Sequence, residues 1–383
     1  MRHSVLIFLD LSDNRLSGEL PNCWMQFKNL SFLNLANNHF SGKLPASLGY
    51  LPQIGVLHLC NNKFYGEMPS FQNCKYLSLL DLGENRISGK LPEWLVQSRE
   101  YLVVLRLSSN ESSGSIPTSW CSLQALQILD LSQNNLSGAL PHCFNNMTAM
   151  KSEVTNYGQF DVVNLTWKGI KIEFGRNLYL MRSIDISSNH LSGVIPESIT
   201  SLLKLKSLNL SINNLTGSIP GNFDQLKDLE SLDLSTNRIC GKIPTSFSRL
   251  TFLSKLDLSY NKLTGRIPSS TQLQGFPASA FMGNAGLFGP PLTEDLPKNR
   301  TKQDPGVVND INKANEDGYI TFGFYVSSAI GFIVGFWGIC GTLLISSSWR
   351  LACFRFWNRT EDWIYVTTRV SKARLLRRLT NHN

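Results

Sequence analysis

Leucines alternate with polar residues in a phrase that returns ten times between residues 6 and 268. Each copy reads L-x-L-x-x-N, then three residues, then G-x-[I/L/M]-P. The asparagines are Asn14, Asn38, Asn62, Asn85, Asn110, Asn134, Asn189, Asn213, Asn237 and Asn261, at spacings of 24, 24, 23, 25, 24, 55, 24, 24 and 24. The 55 is one period plus 31 extra residues. Alternation such as Leu129–x–Leu131 predicts a short strand with one face turned inward. One copy cannot bury that face alone, so the copies must stack. Each asparagine then sits at the bend after its strand, where its amide can bond backbone groups of its own and the neighbouring turn. A buried amide is tolerated only when paired, and surface asparagines would not need so strict a register. The proline after each glycine donates no backbone hydrogen bond, which suits an edge or a turn start. It predicts a second extended stretch, followed on the outer side by a short helix or 3-10 turn.

A period of 20–29 residues with this leucine spacing marks an α/β leucine-rich-repeat solenoid, with a strand and a short helix or 3-10 turn in every repeat. Ser or Thr precedes most of the glycines (Ser17, Ser41, Ser88, Ser137, Thr216, Thr264), a phrasing that resembles the plant-specific class of such repeats.

The repeats divide at the long gap. Six occupy residues 1–144, an insertion occupies 145–177, and four more occupy 178–268. Within the insertion, the alternation in "VVNLTWKGIKIEF" predicts one or two strands. Long insertions into compact scaffolds are often functional, although a tolerated surface loop fits too. Residues 269–318 form a cap and an acidic linker. No charge then occurs from Gly318 to Ser348. Tyr319–Ile345 supplies 27 residues where about 20 suffice to cross a bilayer, which predicts one transmembrane α-helix. Glu316 and Asp317 precede it, and the tail 346–383 carries eight basic residues against Glu361 and Asp362. The positive-inside rule therefore puts the repeats outside and the tail in the cytosol, a single-pass type I topology. The tail holds +6 of the net +8, so the basic balance says nothing for nucleic acid. Gly323, Ser327, Gly331 and Gly335 recur every four residues along the span, a stripe of small side chains that lets a second helix approach closely. Met1 lies five residues before the first repeat leucine, with no leader or cap ahead of it, which predicts that the parent protein extends further in that direction.

Of the eight cysteines, Cys121 and Cys143 fall in adjacent repeats on the same outer side and form the one candidate bridge. Cys23 and Cys143 are equivalent positions five repeats apart, about 24 Å, beyond disulfide reach. Cys60 is expected to point outward, unpaired. Cys353, just inside the membrane, could carry a palmitoyl group or remain a plain thiol. Glycosylation sequons on the exterior side begin at Asn29, Asn135, Asn146, Asn164, Asn209, Asn214 and Asn299. The sequon at Asn110 coincides with the asparagine ladder and should stay bare.

One side chain between the two strand leucines of each repeat faces the concave side. In order these are Asp10, Asn34, His58, Asp81, Arg106, Asp130, Asp185, Asn209, Asp233 and Asp257. Two roles are open to so many carboxylates. They can bond neighbouring amides and serines as scaffold, or form a ridge that binds a basic peptide or protein. On the second reading His58, Arg106, Asp130, Asp185, Asp233 and Asp257 are the candidate ligand-binding residues, with His58 and Arg106 breaking the pattern and setting specificity.

The order of parts carries a resemblance. "NNMTAM", "WKGIKIEFGRNLYLMRSIDISSNHLSG", four repeats, "GNAGLFGPPL", an acidic stretch, one span and "WRLACFRFWNRTEDWIYV" resemble plant receptor-like proteins, in particular the group of the fungal-xylanase and Cf-type disease-resistance receptors. The resemblance implies a plasma-membrane receptor without a kinase domain. It implies a peptide or protein ligand, a leucine-rich-repeat receptor kinase as adaptor or co-receptor, and a role in plant defence. It also implies that Asn145–Asn177 and the repeats over Ile184–Pro268 take part in these contacts. Phe288 and Leu296 stand where the family's cap carries two cysteines, so that bridge is absent here. No catalytic motif (GxSxG, HExxH, P-loop, dinucleotide glycines, kinase HRD or DFG) occurs, and no cofactor or metal spacing. Two other readings stay open: a binding or enzyme-inhibitor module, and a nonfunctional receptor gene fragment.

Overall fold

The computed structural model describes residues 5–98, 100–152, 163–167, 170–174 and 180–292. Ten three-residue strands, one per repeat, pair in parallel and in chain order from Phe8–Asp10 to Lys255–Asp257. Each is shifted from the next by one repeat, so equivalent residues lie side by side: Leu33 on Leu57, Leu208 on Leu232. The insertion does not break the stack. Ile128–Asp130 pairs directly with Ser183–Asp185 across it. Within the insertion, Val163–Trp167 and Ile170–Phe174 form an antiparallel pair of their own.

The stretch around each repeat glycine forms a second parallel sheet, of eight strands, from Ser17–Glu19 to Asn214–Thr216. Cys240–Gly241, Lys262–Arg266 and Gly286–Phe288 make a further three-stranded sheet at the cap end. The glycine is needed because the chain turns there with positive φ, for example +74° at Gly217. After the following proline comes a 3-10 turn, as at Ala46–Tyr50, Thr118–Ser122 and Glu197–Ser201. Among the described residues the α-helix is limited to Thr271–Gln274, in the cap. Of the short helix or 3-10 turn expected on the outer side, these repeats take the second. The outer side is made of 3-10 turns, with five residues between proline and a buried leucine at Pro45–Leu51, Pro117–Leu123 and Pro196–Leu202.

The leucine rows close into a core from end to end; Leu33, Leu57, Leu105, Leu208 and Leu232 are fully buried. Phe64, Phe71, Phe223 and Phe247 are fully buried in the same core. The asparagines tie turn to turn. Asn62 Nδ2 donates to the carbonyls of Leu59, Cys60 and, in the preceding repeat, Leu35, while its Oδ1 accepts from the Phe40 amide. The same set recurs at Asn38, Asn134, Asn213 and Asn261. Asn284 adds a rung in the cap, donating to Leu258 and Phe281 and accepting from Leu263. The residue before each repeat asparagine turns the corner between the two sheets in the left-handed region, from Asp13 (φ 55°) to Tyr260 (φ 53°).

Candidate functional site

The concave row has a scaffold rule and an exception to it. The rule is Asp–x–Ser: the carboxylate accepts from the amide and hydroxyl of the serine two residues on. Asp130 does so from Ser132, Asp185 from Ser187, Asp233 from Ser235 and Asp257 from Ser259, at 2.6–3.1 Å. Asn209 obeys the same rule, accepting from Ser211. An amide therefore replaces a carboxylate here without loss of the local bonds.

The exception occupies the third to fifth repeats, where Cys60 and Gly83 stand at the serine position and, in the fifth, Arg106 replaces the acceptor before Ser108. Gly83 leaves space that a Cβ would close, since one built there would stand 2.8 Å from the Arg106 guanidinium carbon. Arg106 fills that space. Its Nη1 lies 3.2 Å from Asp81 Oδ1 and its Nη2 lies 2.7 Å from Glu84 Oε1. Its Nε is 3.4 Å from Asp130 Oδ2, an ion-pair contact too poorly aligned for a hydrogen bond. His58 Nδ1 is 3.7 Å from Asp81 Oδ2, and His58 Nε2 is buried without a partner. His58 and Arg106, the candidates for ligand specificity, are 3% and 5% exposed and locked into this cluster. Cys60, expected outward, is a buried free thiol beneath the same groups.

The electrostatics follow the geometry. Burial alone would raise the Asp81 carboxyl, but the Arg106 charge, His58 and the Gly83 amide outweigh it and pull it down to about 2. Burial likewise works against the Arg106 charge, and Asp81 and Asp130 reverse it, raising its pKa. Beyond Arg106 no cation intervenes in the row. Asp185 stacks beside Asp130 in register. Burial and the Asp130 charge push it up to about 6, against the bonds from Ser187 and Asn209. Asp233 is raised by burial as well, with Asp257 adding to the effect.

A carboxyl whose pKa is raised on folding stabilises the fold in its protonated form. For Asp185 that contribution is whole below its ordinary value of 3.8 and is lost as pH rises through about 6. Asp185→Asn, made in a host that does not glycosylate the sequon it creates, is therefore expected to raise the thermal midpoint at pH 7 and leave it nearly unchanged at pH 4. Equal shifts at both pH values would show that the Asp130–Asp185 repulsion is not felt.

The other expected sites fall as follows. Cys121 and Cys143 are joined as a disulfide between adjacent 3-10 turns. Asn29, Asn135 and Asn146 are exposed and Asn214 is half-buried. Asn209 Nδ2 donates to Asp185 Oδ2 at 3.1 Å, so a glycan on that nitrogen would break a scaffold bond. The side chain of Asn164 lies outside the described residues. So do Asn299, the span, the stripe Gly323, Ser327, Gly331 and Gly335, and the tail.

Leucine-rich-repeat family models match residues 180–239 and the segments 5–27, 29–51, 76–97, 101–123, 125–147 and 252–273. The tomato (Solanum lycopersicum) receptor-like protein EIX2 is 53% identical over 97% of this chain, which spans 38% of that protein. The chain belongs to the plant leucine-rich-repeat receptor-like proteins. Among solved structures, the ectodomain of the Arabidopsis receptor kinase HAESA with an IDA peptide hormone is 33% identical, with a TM-score of 0.60, over 73% of this chain and 41% of that one. HAESA with IDA and the co-receptor SERK1 gives 28% and 0.56, over 73% and 50%. A plant ice-binding protein matches at 26% and 0.59, over 77% of this chain and 84% of its own, so the coil alone does not set the function. Neither family model describes a catalytic domain.

Proposed function

We propose that the chain acts as a cell-surface receptor without a kinase of its own. Its repeats bind an extracellular peptide or protein, and a membrane receptor kinase supplies the phosphoryl-transfer chemistry. The observation that carries the ligand side is the concave row from Asp130 to Asp257. There Arg106 contacts Asp130 and Asp185 is buried, while Asp233 and Asp257, held by their serines, are half-buried and form no ion pair among the described residues, which suits a basic ligand segment at that end of the row. His58 and Arg106 act on this reading as a fixed block that ends the acidic ridge and sets where a basic ligand seats. HAESA, a receptor kinase whose structures contain a peptide hormone and a co-receptor, supports ligand and co-receptor binding by the repeats.

The membrane side rests on the sequence. Tyr319–Ile345 anchors the receptor in the plasma membrane in type I orientation. The stripe from Gly323 to Gly335 meets the partner's helix, and the likeness to EIX2 favours a role in plant defence. One chimera tests the signalling half. Replacing residues 319–383 with an unrelated single-pass anchor should abolish ligand-triggered responses while ligand capture at the cell surface survives. Responses that persist undiminished would favour a plain binding module instead.

A further inference from the structure

At the corner between the two sheets, the chain changes character along the coil. In the early repeats the left-handed corner holds residues that tolerate it and tie themselves to their neighbours. Asn37 donates to Asp13 at 2.8 Å, Asn61 donates to Asn37 at 2.9 Å, and Ser109 donates to Gln133 at 2.6 Å. In the last three repeats the same corner holds Ile212, Thr236 and Tyr260, at φ of 53°, 55° and 53°. Branched and bulky side chains are disfavoured in that conformation. Nor is the strain repaid by burial: Ile212 is 53% exposed and Tyr260 57%, and Met282 continues the strip at 45%. Tyr260 is set firmly nonetheless. Its hydroxyl contacts Met282 Sδ, and its ring lies so close to Gly283 that a Cβ there would come within 2.6 Å of it. A disfavoured backbone carrying an exposed, rigid aromatic residue points to a contact with another molecule.

The flanks of the strip say which molecule. Asp233 and Asp257 lie on its concave side, and the exposed Arg238 and Lys262 lie on its lateral side. Among the described residues none of these four forms an ion pair. A strip with acid along one edge and base along the other complements itself when a second copy is turned about a two-fold axis parallel to the strip. Each acidic edge then meets the other copy's basic edge. The same rotation leaves both coils pointing the same way. The strip crosses three strand spacings, about 15 Å. So small a contact is weak in solution and effective between chains held in a membrane.

We propose that the corner strip Ile212–Thr236–Tyr260–Met282 is a self-association surface through which two copies of this chain pair side by side. The inference rests on the proposed membrane anchor and shares Asp233 and Asp257 with the proposed ligand ridge, so a basic ligand and a second copy would compete for them; it does not depend on the partner kinase. Thr236 lies near the proposed axis, so a cysteine there faces its own copy. The test uses the full chain in membranes, with Cys23, Cys240, Cys340 and Cys353 replaced by serine or alanine. Under copper phenanthroline oxidation, Thr236→Cys should give a disulfide-linked dimer, while Asn61→Cys, exposed at the same corner in an early repeat, should stay monomeric. Adding Ile212→Asn and Tyr260→Asn, which suit the left-handed corner as Asn37 and Asn61 do, should lower the dimer yield about tenfold without lowering the thermal midpoint. No dimer from Thr236→Cys, an equal dimer from Asn61→Cys, or a yield indifferent to the asparagine pair would each overturn the proposal. Loss of signalling with no dimer at all would assign the strip to a different protein.

Discussion

Arg106→Ala is expected to remove about 3–5 kcal/mol of stability at neutral pH, because it leaves buried carboxylates without their cation. Asp81 is 1% exposed and Asp130 6%, and Arg106 bridges both as well as Glu84. The loss should depend on pH in a definite direction. Asp81 is held near 2 rather than 3.8, so the stability it contributes is present above 3.8 and disappears as pH falls through about 2. In the variant that contribution is absent. Wild type and variant should therefore differ most above pH 4 and converge in acid. Urea titrations of both proteins at several pH values would show this. A gap that is constant, or that widens in acid, would mean the cluster is not held by charge. Gly83→Ser should reproduce part of the effect, since the serine that is ordinary in this row would stand where the guanidinium lies.

Asn213→Ala is the second large effect, at about 3–5 kcal/mol. The amide donates to Ile186, Leu210 and Ser211 and accepts from Leu191. Alanine leaves several buried backbone groups unpaired, at about 1–3 kcal/mol each. Because the bonds cross from one repeat to the next, the damage should reach neighbours in the coil. Amide exchange should accelerate in the repeats on either side of Asn213, not in its own turn alone. Asn14 offers the contrast. It is exposed and bonds only within its own turn, so Asn14→Ala should change stability by less than about 1 kcal/mol. Similar losses at the two positions would contradict a ladder that links the turns.

The strand register and the ladder were legible because both follow from a strict period. Leu129 and Leu131 fix one inward face, and Asn134 fixes the bend. Asn284 escaped because the cap offers Phe281–x–x–Asn284 without the alternating leucines; its bonds identify it, not its phrase. The ion cluster escaped for a different reason. Sequence places His58, Asp81 and Arg106 in one row but cannot show that Gly83 leaves room for a guanidinium to turn sideways. The missing serines at Cys60 and Gly83 were the available signal, since an Asp81 freed from its usual partner is available to another. The Asp–x–Ser bonds elsewhere were legible as one of two alternatives, and the spacing of Asp130 and Ser132 carries them. The outer turns were ambiguous between α and 3-10 because five residues satisfy either pattern until the space between neighbouring repeats decides.

An outward-facing coil with this register makes one demand that a single glycopeptide map by mass spectrometry can check. In the full chain purified from plant cells, glycans should occupy Asn135, Asn146 and Asn214, which lie on the outer surfaces. Asn110 and Asn209 should be bare, because both amides are committed to scaffold bonds. Bare side chains at Asn135, Asn146 and Asn214 would put the repeats on the wrong side of the membrane for a receptor, and sugar on Asn110 or Asn209 would contradict the fold that positions the ligand face.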